Sequence, residues 1–180
     1  MDAKQKKSVA CYLLICLHFL LGIGALFGGG VLIIFPDGSI LSMPLTMLQN
    51  SPFDNFLIPG IILFVGLGIL PLVTAVFLIS EKPLEIAEKL RLYKEIHWAW
   101  NYSLYIGFIL IIWITVEMYM IQAVAFIHVF YIFLGISIQS ITLLPSVKEH
   151  YSNNNRFTKN LSSFLIVLAF FGNSYSLLHL

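Results

Sequence analysis

Four apolar runs, each long enough to cross a bilayer, constrain this chain more than any motif in it. They cover about residues 8–35, 53–79, 98–120 and 122–144. A helix needs roughly 20 apolar residues to traverse about 30 Å of hydrocarbon, and every run meets that length. A hydrophobic fraction of 59%, a charged fraction of 11% and a mean hydropathy of +0.91 leave no polar coat for a soluble domain. The expected fold is all-α: a polytopic membrane protein with a four-transmembrane-helix bundle in residues 1–150. A polar linker and an apolar C-terminal segment follow in 151–180.

Charge placement predicts the orientation. Lys4, Lys6 and Lys7 precede the first run; Lys82, Lys89, Arg91 and Lys94 separate the second from the third; Lys148, Arg156 and Lys159 follow the fourth. These are all 10 basic residues, so the positive-inside rule places the N-terminus and the central connection in the cytoplasm. The stretch from Phe35 to Gly60 then lies outside, and the expected location is the bacterial cytoplasmic membrane, multi-pass. The first run is far longer than a signal-peptide core and lacks an A-x-A-like site, so it reads as a retained helix. Cys11 and Cys16 sit about 140° apart around that helix, which disfavours a disulfide or a thiol redox pair.

The first helix is glycine-rich toward its outer end. Gly24 and Gly28 form a GxxxG pair, and Ala25 with Gly29 repeats the spacing, which favours close helix contact in lipid. Packing inside the bundle is the plain reading; a homo-oligomer or membrane-protein partner through Gly24 and Gly28 is the other. His18 shares a face with Cys11, Leu14, Gly22, Ala25 and Gly29 and is expected to point at a neighbouring helix.

In the outer stretch, Pro36-Asp37-Gly38-Ser39 has the residues of a tight turn. Ser42 is expected to cap a short amphipathic helix carrying Leu41, Leu45 and Leu48. Ser51-Pro52-Phe53-Asp54 reads as a capping box, with Asp54 a cap of the second helix or a ligand group. Pro59-Gly60 and Pro71 can kink that helix. The connection 80–97 reads as a charged surface helix with Ile86, Leu90 and Tyr93 on one side and a Glu85 to Lys89 pair.

Trp98, Trp100, Tyr102 and Tyr105 fit an interfacial aromatic belt. Near the other end of the third helix stands Glu117, the sole carboxylate within an expected span apart from Asp54 at the very start of the second, and costly there unless paired, protonated or wet. His128 heads a polar stripe through Tyr131, Gly135, Gln139, Thr142 and Ser146, within about 60° on a helical wheel. A Glu117 to His128 contact would satisfy both groups. The functional alternative makes them a proton-linked or cation-binding pair at an outer vestibule, helped by Asp37 or Asp54. The candidate ligand-binding set is therefore Glu117, His128, Tyr131, Gln139, Asp37, Asp54 and His18. No catalytic residue and no cofactor is indicated, and a metal is disfavoured because ligand types are present without ligand spacing such as HExxH. The apolar tail around 161–171 is expected to be interfacial or re-entrant instead of a fifth crossing, which would put His179 outside.

The pieces GGGVLIIFPDGSILSMPLTMLQNSPFDNFLIPGIILF, IIWITVEMYMIQ and FLGISIQSITLLPSVKEHY resemble a family of small bacterial four-helix membrane proteins. The resemblance covers about residues 20 to 150, and its PDGS, MP, SPF and FLIPG elements are the specific part. It implies a bacterial integral membrane protein and supplies no activity, substrate or catalytic residue. No P-loop, dinucleotide fingerprint, GxSxG or metalloprotease signature is present, and nothing suggests a nucleic-acid partner. Three functions fit in descending order: a small-molecule, lipid or cation binding or transport-related protein with an outward pocket; a structural or accessory subunit of a membrane complex; and a membrane-embedded enzyme acting on a lipid or quinone.

Overall fold

A computed structural model describes residues 6–152. Apolar runs become helices because a buried or lipid-facing backbone must satisfy its own hydrogen bonds. Among the described residues, and apart from two short 3₁₀ turns, six helices result: α1 Val9–Ile34, α2 Leu57–Ser80, α3 Glu85–Glu88, α4 Trp98–Ile121, α5 Phe126–Thr142 and α6 Pro145–Tyr151. Among the described residues there is no β-strand, only an isolated antiparallel bridge between Ile96 and Ser152. The helices α1, α2 and α4 are each long and apolar enough to cross a membrane. Together α5 and α6, bent by 64° at the break between them, make a fourth candidate. The described residues are thus all-helical, with three to four helices fit to span a membrane, and the expectation for 161–171 and His179 lies outside the described residues.

The four long helices run alternately up and down and form a ring in which α1 packs on α2 and α5, and α4 packs on α5 and α2. Two glycine crossings bring the backbones together. A methyl group on Gly29 would stand 2.7 Å from the Phe64 nitrogen and 2.8 Å from the Gly60 carbonyl. One on Gly107 would meet Gln139 Cγ at 2.5 Å and the Gly135 carbonyl at 3.1 Å. Of the expected GxxxG pair, Gly24 faces the Tyr131 hydroxyl and Gly28 makes only ordinary contact with Leu63.

Pro71 shapes α2 as expected, though by widening it. Proline lacks an N–H and its ring crowds the carbonyl four residues earlier. The preceding Leu63–Ile69 segment is π-helical, with the Leu70 N–H reaching back to the Val65 carbonyl.

Local expectations fail where tertiary contacts compete. Ser42 does not start a helix: at a φ of 55° it ends the short 3₁₀ turn Ser39–Leu41, its N–H donating to the Ser39 carbonyl, and a second 3₁₀ turn, Leu45–Leu48, follows. Pro44, extended and without an N–H, prevents one continuous helix. Asp54 does not cap α2 either. The Phe56 N–H donates to the Pro36 carbonyl, which ties the loop to the end of α1 and delays the helix to Leu57, whose N–H is taken by Asn55 Oδ1 at 3.0 Å. The connection 80–97 holds one helical turn instead of a surface helix, and its ion pair is Arg91 to Glu88 at 3.4 Å, not Glu85 to Lys89. Trp98 and Trp100, expected as belt anchors, are each 1% exposed. Their indole N–H groups donate inward, to the Lys82 carbonyl at 3.3 Å and the Thr142 carbonyl at 2.7 Å, so they are core residues.

Candidate functional site

The stretch after α1 folds back over one end of the bundle because Gly38, at a φ of 74°, reverses the chain where a Cβ would collide with the Met43 carbonyl. Leu32, Leu48 and Phe56 then bury together as a small second core. Beneath this cover lies a pocket of about 20 Å³, lined by Leu48, Phe56, Leu63, Trp113, Met120 and the Glu117 side chain, among others. That is room for about one water molecule.

Glu117 supplies the only ionisable group in the lining. Among the described residues it has no hydrogen-bond or salt-bridge partner. The expected bond to His128 is not formed. His128 is 6% exposed, and its Nδ1 accepts from the Ala125 N–H at 3.0 Å, so the ring caps the start of its own helix. That local bond forms at no loop-closure cost and leaves the imidazole unavailable on that side. Tyr131 lies within electrostatic range of Glu117, with its hydroxyl against Gly24.

The remaining candidates do not join this pocket. Asp37 is exposed and accepts from Ser39 N at 3.2 Å and Ser39 Oγ at 2.9 Å, which makes it a turn-former. Asp54 is exposed. His18, wholly buried, bonds through Nδ1 to the Leu14 carbonyl at 2.9 Å, and Gln139 is half-buried against Gly107. Cys11 is buried and Cys16 exposed, as their angular separation requires.

At the opposite end is a cluster that residue-by-residue reading missed. Lys7, just before α1, and His150, on α6, both donate to Oε1 of Glu81, the residue that ends α2; the histidine does so at 3.2 Å. The Lys7 ammonium also lies 5.2 Å from the Tyr151 ring centre, while the Tyr151 hydroxyl donates to the Leu78 carbonyl at 2.9 Å. Burial by itself would raise the Glu81 carboxyl, but hydrogen bonds from His150 and Lys7 and their charges outweigh it and bring the pKa down to about 2. The only available signal was that helix ends of opposite charge meet when neighbours run antiparallel.

No protein-family model, no characterised protein and no solved structure matches this chain. Among the described residues no group of three or more His, Cys, Asp or Glu side chains could hold a metal ion.

Proposed function

We propose that this chain is a multi-pass protein of a bacterial cytoplasmic membrane that binds a small ligand in a pocket open to the outer face, with Glu117 as the anchoring group. The resemblance to small bacterial four-helix membrane proteins belongs to the same proposal, as does the orientation with the basic end inside. One observation carries the reading: a lone carboxylate lines an otherwise apolar pocket under the 36–56 cover. Apolar pockets with a single charged group select ligands that pair with that charge and bury an apolar body. A cation or a small ammonium compound is the chemistry Glu117 would hold, and a lipid headgroup bearing an amine shares it. Anything larger than a water molecule requires the cover to move, since the free volume is about 20 Å³.

That small volume also favours a second reading, in which the bundle is a filled accessory subunit and Glu117 contacts a partner. The test is thermal unfolding of the protein in nanodiscs with sodium, potassium, ammonium, methylammonium and choline, for wild type and Glu117→Gln. Ligand at 100 times its Kd raises stability by about 2.7 kcal/mol. Stabilisation by one of these cations that disappears in Glu117→Gln supports binding; the same response in both proteins, or none in either, moves the assignment to the accessory subunit.

A further inference from the structure

Three polar atoms in the bundle interior make no hydrogen bond among the described residues: His18 Nε2 on α1, Thr74 Oγ1 on α2 and Gln139 Nε2 on α5. Buried polar atoms are nearly always paired, with protein or with ordered water. The three are independent in sequence, and the helix registers place them at one level of the bundle.

A methyl on Gly22 would meet Leu72 at 2.6 Å and the Gly68 carbonyl at 3.0 Å. The helices α1 and α2 are antiparallel, so His18, four residues before Gly22, lies opposite the turn that carries Thr74. Gly24 faces the Tyr131 hydroxyl. Six residues down α1 and six along α5 bring His18 opposite residue 137, two from Gln139, or about 3 Å of helix rise. On α4 the same level is marked twice. Gly107 touches Gln139 Cγ, and Ser103 Oγ stands 2.7 Å from Thr142 Oγ1. Phe77 packs on Trp98 at 4.8 Å between ring centres, which puts Thr74, three residues away, close to Ser103 in height. All three side chains therefore occupy one cross-section to within about one helical turn.

Their chemistry is complementary. A carbonyl can only accept, so His18 Nδ1–H donates to Leu14, and the neutral ring presents Nε2 as an acceptor. Thr115 and Thr142 return their hydroxyls to carbonyls four residues earlier, Ile111 at 2.7 Å and Ile138 at 2.6 Å. Thr74 does not, and its hydroxyl is left to point elsewhere. Gln139 contributes an amide, able to donate or accept according to its orientation.

We propose that His18, Thr74 and Gln139 form an internal binding site for one water molecule that links α1, α2 and α5 at mid-bundle. Water donates twice and accepts twice, so it satisfies the imidazole, the hydroxyl and either orientation of the amide at once. Buried waters of this kind make about three hydrogen bonds. The site is separate from the Glu117 pocket, whose lining includes none of the three residues.

The test is solid-state NMR of histidine-labelled full-length protein in bilayers, measuring magnetisation transfer from water to the sequentially assigned His18 ring. Transfer to Nε2 in the wild type, lost in the near-isosteric Thr74→Val, is the expected result. No transfer in the wild type overturns the proposal whether or not any variant folds. Equal transfer in wild type and Thr74→Val overturns the three-point site. Should Thr74→Val fail to fold, Gln139→Leu is read by the same criterion.

Discussion

The two ends of this bundle handle a carboxylate in opposite ways. Glu81 sits where three chain segments converge and is held by Lys7 and His150, with Tyr151 fastened beside it to the Leu78 carbonyl. Glu117 sits under an apolar cover with no bonded partner among the described residues. The first arrangement closes a structure, because a compensated charge inside a contact is costly to remove and fixes the elements that supply it. The second stores an unmet interaction, which is what a site awaiting a ligand or a partner needs and what a purely structural end would avoid. The tryptophans sharpen the contrast. At the basic end Trp98 and Trp100 spend their N–H groups on backbone carbonyls; at the loop end Trp113 is part of the pocket wall.

The comparison breaks most severely if its closed end is emptied. Trp100→Ala removes a core indole and its bond to Thr142, and it is expected to lower stability by about 3–5 kcal/mol in thermal or denaturant unfolding. Next comes Glu81→Gln, with an expected loss of about 2 kcal/mol, below the range for a wholly buried pair because the cluster is partly wet. The sign with pH follows. The Glu81 pKa falls from 4.5 to about 2 on folding, so its contribution is complete above about pH 4.5 and fades as pH drops toward 2. Wild type should lose stability across that window and Glu81→Gln should lose less; parallel curves would refute the role assigned to the cluster.

Gly29→Ala probes the crossing between the ends. The added methyl meets backbone that cannot swing aside, and about 1–3 kcal/mol of destabilisation is expected. Glu117→Gln should reverse the sign seen at Glu81, raising stability by up to about 1 kcal/mol without ligand, since it removes an uncompensated charge from an apolar pocket. A loss comparable to that of Glu81→Gln would mean that Glu117 is paired after all. The smallest effect belongs to Asp54→Asn, expected within about 0.5 kcal/mol, because an exposed side chain that caps no helix has little to lose.

Three of the four expected spans were legible because apolar length is a local property; the fourth run, 122–144, instead holds a 17-residue helix bent by 64° from α6. The expected starts at Ser8 and Trp98 fall within a residue of α1 and α4, and Glu117 stood out as a carboxylate inside a run. The cap assigned to Asp54 and the helix assigned to Ser42 were also local inferences. They failed because the bond from Phe56 to Pro36 and the burial of Phe56 and Leu48 outweighed them. The Glu117 to His128 pair failed for the converse reason, a nearby backbone N–H having claimed the histidine first.

By itself the sequence determined the all-helical class, the positions of three long apolar helices and the end at which a lone carboxylate would lie. Those follow from hydropathy and the cost of an unsatisfied backbone in lipid, which need no knowledge of neighbours. Only the tertiary structure decided which carboxylate is compensated, since Lys7, Glu81 and His150 are separated by 74 and 69 positions and meet solely through helix packing. It also decided which tryptophans are core and which glycines touch. Partnership between side chains is a property of register between helices, and register is set by close backbone crossings such as Gly29 on Gly60 that no single helix encodes.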